Sequence, residues 1–344
     1  MSYTEHLISY NKSDVKDYIA KRKGELKIGE QLLFYNKGKE PMAETLHKSF
    51  AEYVILGVPE DIGPRANHGN SGASNGWDAF LHAFLNMQSN PFMSGEDVLL
   101  LGEVRTGDLM AEITTETSIS QLRKLVEQLD ERVYEVAYEV FRSGKKLIVI
   151  GGGHNNAYPL MKAASAHLKE SFYEKFPGIN VVNLDPHADF RALEGRHSGN
   201  SFSYAFEEEC LNRYALVGIH EQYNSAHILE QFETHDERIH FTTFEEIIYG
   251  KTTFEEAVEV GTNFLANEHN GIELDMDSIS SMPVSAYTPS GIQLEQARYY
   301  VHKASQVDHN MYLHLCEAAP KDDKDKKHVG KALAMLVADY VKSA

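Results

Sequence analysis

Cysteine is almost absent: Cys210 and Cys316 are the only two in 344 residues. Two thiols cannot make a disulfide framework, so each is expected to be reduced, and any metal site must rely on histidine and carboxylate ligands. Long apolar runs are missing too; none approaches the roughly 20 residues that cross a bilayer. The segment Met1–Tyr10 lacks the basic and then apolar order of a secretory signal, so a cytoplasmic location is expected. Positive charge is in deficit, with 33 Lys and Arg against 51 Asp and Glu, for a formal charge of −18. Nucleic acids and anionic membranes are bound through Lys and Arg patches, so neither is an expected partner. The absence of internal repeats, Pro-rich linkers and low-complexity blocks favours one domain over two. Residues 1–50 carry short amphipathic pieces around Val15, Tyr18 and Ile19 but no motif, and are expected to form an N-terminal extension packed on a single domain of residues 51–344.

What is present is an apolar content of 42%, enough for a sizeable core. Short apolar runs predict strands at Tyr53–Val58, Val98–Leu101, Lys146–Ile150, Ile179–Leu184, Tyr214–Ile219, Arg238–Phe241, Ile272–Asp275 and Met311–Cys316. Leu125, Val126, Leu129, Val133, Val136, Ala137 and Val140 recur at spacings of three and four, which predicts an amphipathic helix from Leu122. Ser118 with Gln121 offers it a capping box, and Gly144 a stop. A last helix is marked by Val329, Leu333, Leu336, Val337 and Tyr340, after a charge run from Lys321 to His328 read as solvated. Strands of continuous apolar character alternating with helices predict an α/β fold: a mainly parallel sheet of about eight strands covered on both faces. The Gly- and Asn-rich stretch Pro59–Gly76 is expected to be a long loop of functional importance.

In open parallel sheets, ligands collect at the carboxyl ends of the strands. One strand ends in Asp185-Pro186-His187-Ala188-Asp189, where alternation of side chains sends Asp185, His187 and Asp189 to one side. Another runs into Gly151-Gly152-Gly153-His154, and a third into Asp275-Met276-Asp277. A phosphate-binding turn is a second reading of the glycines, but no Gly-x-Gly-x-x-Gly opens a helix there. Four carboxylates and two imidazoles exceed the needs of one zinc ion and suit a pair of hard-to-borderline ions, with manganese the natural candidate.

With these three motifs in this order, the chain resembles the ureohydrolase family, which includes arginase, agmatinase and formimidoylglutamase, from about Tyr53 to Leu336. The resemblance implies a three-layer α/β/α sandwich around an eight-stranded parallel sheet, a ureohydrolase-like catalytic domain over residues 51–344 and two Mn(2+) per chain. One ion would be held by His154, Asp185, Asp189 and Asp275, the other by Asp185, His187, Asp275 and Asp277. A hydroxide bridging the ions would attack the planar carbon of an amidine or guanidinium, Asp189 would steer its proton, and Glu317 would orient the cationic substrate nitrogen. The family also carries the expectation of a homo-oligomer.

Within the family, the segment Asp189-Phe190-Arg191 and the loop Pro283-Val284-Ser285-Ala286 look closest to formimidoylglutamase. Where arginases and agmatinases place a proton-shuttling His before Gly, this chain has Ser198, with His197 one residue earlier, so either is a candidate for that role. Ser198 and Asn200 are candidate substrate-binding residues. Formimidoylglutamate carries two carboxylates, for which Arg191 is the first candidate partner and Arg196 and Arg65 the next. The expected reaction is N-formimidoyl-L-glutamate plus water to L-glutamate and formamide. A guanidino hydrolase releasing urea, and a family member without turnover, remain as alternatives.

Overall fold

A computed structural model describes residues 5–35, 40–172, 178–265 and 268–343. Ten strands form one open sheet: β1 (Leu7–Ser9), β2 (Leu33–Phe34), β3 (Tyr53–Gly57), β4 (Val98–Val104), β5 (Lys146–Ile150), β6 (Ile179–Leu184), β7 (Leu211–Ile219), β8 (Ile239–Thr243), β9 (Asn270–Asp275) and β10 (Asn310–Cys316). The order across it is β1-β4-β3-β5-β10-β9-β6-β7-β8, with β2 also pairing to β4. Only β1 is antiparallel, with Leu7 opposite Val104; every other pairing is parallel. Each of the eight strands expected from the sequence lies in this sheet. The two additional strands come from the first fifty residues, and at three and two residues they are too short for alternation to reveal. Within that segment, residues 1–4 and 36–39 lie outside the described residues.

Successive strand residues feed opposite faces. On β3, Tyr53 and Ile55 enter one buried cluster while Val54 and Leu56 enter the other. The first cluster is closed by the helices Gly76–Phe84, Phe254–Phe264, Leu294–Ser305 and Asp323–Ser343, the second mainly by Ile119–Arg142 and Ala157–Phe172. Each fully buried Leu, Ile or Val contributes roughly 1.5–3 kcal/mol, so both faces are anchored along their length. The long helix begins as its sequence suggests: Gln121 N–H donates to Ser118 Oγ (3.3 Å), and Ser118 N–H to Gln121 Oε1 (2.8 Å). It ends ahead of Gly144, whose φ of +75° suits glycine.

Two expectations need revision. The Pro59–Gly76 stretch is not a plain loop, because Ile62–Ala66 forms a short helix and Ala73–Asn75 a turn. The charge run before the last helix is partly inside it: the helix starts at Asp323, where acidic residues suit a helix N-terminus. No helix among the described residues is long and apolar enough to cross a membrane.

What positions the site is the middle of the sheet. The chain leaves β5, crosses through Ala157–Phe172 to β6, and leaves room that β10 and β9 later fill. β5, β10, β9 and β6 are therefore parallel neighbours whose carboxyl ends lie along one rim.

Candidate metal centre and its cavity

The rim is shaped by local devices. After β6, Asp185 Oδ1 accepts the backbone N–H of His187 at 2.7 Å; after β9, Asp275 Oδ1 accepts that of Asp277 at 2.7 Å. The same two-residue turn is thus used twice, fixing one oxygen of each carboxylate and leaving the other to point inward. Asn183 Nδ2 steadies that second oxygen of Asp185 at 3.1 Å. Asp189 and Glu317 hold left-handed backbone, with φ of +45° and +63°, strain of order 1–3 kcal/mol that the surrounding contacts must sustain. After β5, Gly152 has φ +74°, and a Cβ there would lie 2.6 Å from Glu60 Oε1 and 2.9 Å from Val58 O. Buried Glu60 gathers this turn, accepting from Gly153 N–H (2.7 Å), Asn156 Nδ2 (2.9 Å) and Ile62 N–H (2.6 Å).

These turns bring His154 to a ring of carboxylates. Its Nδ1 lies 3.1 Å from Asp185 Oδ2, 2.9 Å from Asp189 Oδ2 and 3.3 Å from Asp275 Oδ2. One donor atom from each of the four residues lies within 4.8 Å of the others. His187 is next along the rim, its Nδ1 3.5 Å from Asp185 Oδ1 and 4.0 Å from Asp277 Oδ2. All six residues expected as ligands are therefore brought together.

The donor set fits a cation. Neither ring nitrogen of His154 makes a hydrogen bond among the described residues, although the ring is fully buried. Clustered carboxylates without a compensating charge are unfavourable in such a place. That cost is visible in their acidity: burial, and then the neighbouring charge of Asp185, push Asp275 up to about 6. Burial followed by Asp275 and Glu317 pushes Asp277 well up. Burial alone would lower His187, but the hydrogen bond and charge of Asp185 lift it to about 9.

A cavity of about 840 Å³ opens over the ring and is lined by His187, Asp189, Asp277, Arg191, Ser198 and Glu317 among others. Glu317 accepts the backbone N–H of His154 on Oε1 (2.8 Å) and the Ser285 hydroxyl on Oε2. Its burial, then the charge of Asp275, raise it to about 8. Arg191 is exposed, with one guanidinium nitrogen donating to Asn67 Oδ1 at 2.8 Å.

Residues 51–342 match the sequence model of the Arginase family. The chain belongs to that family. It is similar to the formimidoylglutamase of Macrococcus caseolyticus, 26% identical over 276 residues that make up 79% of this chain and 78% of that one. The formimidoylglutamase of Geobacillus thermodenitrificans is 27% identical over 290 residues, 83% of this chain and 82% of that one. Among solved structures, Bacillus subtilis formimidoylglutamase superposes with a TM-score of 0.70 at 18% identity, covering 94% of this chain and 93% of that chain. Trypanosoma cruzi formiminoglutamase with Mn2+ does so with a TM-score of 0.64 at 22% identity, covering 87% and 97%. At these identities the two superpositions show the arginase-type fold.

Three other expectations do not survive the geometry of this arginase-family chain. His197 does not line the cavity: it is buried, its Nδ1 accepts Gly199 N–H (3.1 Å), and its Nε2 pairs with Glu194 Oε1 (3.2 Å). Burial and then the Arg123 charge lower it to about 4, so it stays neutral. Asn200 is spent on structure, accepting from Arg196 (2.6 Å) and donating to Gly195 O (2.9 Å). Arg196 is buried against Asp130 (2.9 Å), and Arg65 pairs with Asp61 one helical turn away (3.2 Å). Of the substrate-binding candidates after Asp189, Arg191 and Ser198 face the cavity. Asn67, Asn183 and Ser285 were not foreseen as site residues: Asn67 meets Arg191 across 124 residues, Ser285 meets Glu317 across 32, and Asn183 acts only through the side chain of Asp185.

Proposed function

We propose that the chain hydrolyses a linear amidine, N-formimidoyl-L-glutamate, to L-glutamate and formamide. The observation that carries this reading is the convergence of six metal-type ligands on a cavity whose exposed cation, Arg191, stands two residues beyond one of them. The names of the relatives agree with it.

His154, Asp185, Asp189 and Asp275 would hold one manganese, and Asp185, His187, Asp275 and Asp277 a second. When bound, the pair supplies positive charge that brings the acidity of a water at the site into the neutral range. The chain's own side chains do the rest. Glu317, fixed from both sides by His154 N–H and the Ser285 hydroxyl, presents its carboxyl group to the amidinium and aligns its carbon with the ring. Arg191, steadied by Asn67, offers its remaining N–H donors to a substrate carboxylate, and Ser198 adds a hydroxyl at the same wall. The bond that breaks joins the formimidoyl carbon to the glutamate nitrogen, which leaves with one more proton. Asp189, which faces both the ring and the cavity, carries that proton.

The test is glutamate release from formimidoylglutamate by the purified, manganese-loaded protein, beside arginine, agmatine and guanidinobutyrate controls. Glutamate and formamide in equal amounts are expected, with no urea. Urea from any control without glutamate release would move the chain to the guanidino hydrolases. Protein that binds no manganese and turns over nothing would leave a family member without activity.

A further inference from the structure

Behind the metal-type ring lies a second, fully buried polar group that the proposed reaction does not use. Glu273 is two residues before Asp275 on β9, so the two side chains leave the same face of the sheet. Its strand neighbour in register is His314 on β10. Glu273 Oε2 lies 2.6 Å from His314 Nδ1 and 3.3 Å from His154 Nε2, and all three side chains have no solvent exposure. A carboxylate in the middle of a sheet is costly unless its partners are fixed donors, and the two imidazoles flank it. Its other oxygen and His314 Nε2 have no partner among the described residues.

The arrangement gives the two nitrogens of His154 different work. Nδ1 faces Asp185, Asp189 and Asp275; Nε2 faces Glu273. A metal takes the nitrogen that has no proton, so the acceptor on the far side of the ring selects which one that is. We propose that Glu273, with His314, is a positioning residue: its carboxylate, 3.3 Å from a His154 Nε2 that makes no hydrogen bond among the described residues, keeps the ring proton on that nitrogen by its charge and so leaves the Nδ1 lone pair to a metal. His314 donates from Nδ1 to the same oxygen and keeps the carboxylate from turning away. This inference rests on reading His154 as a metal ligand.

Glu273→Gln probes it with almost no change of shape. The amide oxygen takes the place of Oε2 between the two imidazoles but carries no charge, so its hold on a proton at His154 Nε2 is weakened and the tautomer with its proton on Nδ1 becomes accessible. Manganese affinity, measured by calorimetric titration of the metal-free protein, should fall roughly 10–100-fold. His314→Gln retains an N–H donor for Glu273 and should keep the wild-type affinity. A third reading is direct: in protein loaded with zinc as a diamagnetic probe, nitrogen NMR should show His154 bound through Nδ1 and protonated on Nε2.

Equal manganese affinity in wild type and Glu273→Gln would overturn the inference while leaving the metal reading in place. So would zinc bound through Nε2, or a matching loss in both variants explained by a lower melting temperature of the metal-free protein. A wild-type chain with no affinity for manganese would remove the metal reading itself, and this inference with it.

Discussion

His154 and His187 bring the same chemical group to the same carboxylates and are held in opposite ways. His154 has no exposure; its backbone N–H donates to Glu317, Ser201 Oγ donates to its carbonyl at 2.7 Å, and Phe202 meets its ring edge-to-face with centroids 5.2 Å apart. His187 keeps 30% of its side chain exposed, lies farther from its carboxylates, and leans on Tyr223 with ring centroids 5.4 Å apart. Tyr223 in turn stacks on His220 (5.0 Å), and His220 on Phe244 (4.7 Å). The difference teaches that one half of the ring is packed from behind, whereas the other half faces the cavity and, on the proposed reading, would be closed by the metal it receives. The closed half is the place for retention, the open half the place for exchange and for substrate.

The sharpest break comes from the residues the two halves share. Asp275→Ala removes a carboxylate 3.3 Å from His154 and proposed as a ligand in both metal positions, and it should empty both and abolish turnover. Asp277→Ala should instead weaken one metal, remove most activity and leave the fold intact. Metal content by elemental analysis and far-UV circular dichroism check both; full activity in the Asp277 variant would remove that residue from the site.

The halves separate next in thermal stability. A ligand at a hundred times its Kd stabilises the folded state by about 2.7 kcal/mol, and chelation removes that amount. His154→Ala should lose most of the melting-temperature gain that manganese gives, because it opens the closed half. His187→Ala should retain most of it. The opposite order, read by differential scanning calorimetry with and without a chelator, would reverse the roles given to the two halves.

How much of this was legible beforehand follows the same division. The ring was readable from spacing, but not for the reason expected: beyond Leu184 and Asp275 the chain leaves the strands, and turns in which Asp185 and Asp275 accept the N–H two residues on, not alternation, bring His187 and Asp277 round. The eight longer strands were readable by their continuous apolar runs. The cavity wall was not. Whether His197 or Ser198 faces substrate depends on a single extended residue, His197 at φ −159°, whose ring caps the turn Ser198–Asn200 instead of entering the cavity. Arg196 reads as a surface cation until Asp130, 66 residues away, is found against it. Glu273 was in view as part of its strand, yet only the register with β10 shows that His314 stands opposite. Spacing reports direction along one strand; pairing between distant segments requires the fold.

The open half also carries the substrate wall, which Arg191 tests. Hydrogen bonds to charged groups contribute roughly 1.5–3 kcal/mol, so Arg191→Ala should raise KM for formimidoylglutamate roughly ten- to a hundredfold. The change should fall on KM, with kcat altered little, because the guanidinium meets a carboxylate remote from the bond that breaks. Arg191→Lys should recover only part of the loss, since a point charge replaces a fork. Unchanged steady-state constants for Arg191→Ala would assign the carboxylate to another wall.

The smallest effect belongs to the stack behind His187. An aromatic pair contributes roughly 0.5–1.5 kcal/mol beyond its buried area, so Tyr223→Ala should weaken the metal on the His187 side by about two- to tenfold. Tyr223 is 44% exposed, so the fold should tolerate the change. The metal on the His154 side should respond little, because its ligand set does not include His187, the residue that leans on Tyr223. Manganese titration resolved into two steps would show the first unmoved and the second shifted to higher concentration. A shift of both steps together would mean that the two halves are rigidly coupled, and that the exposed histidine is as firmly placed as the buried one.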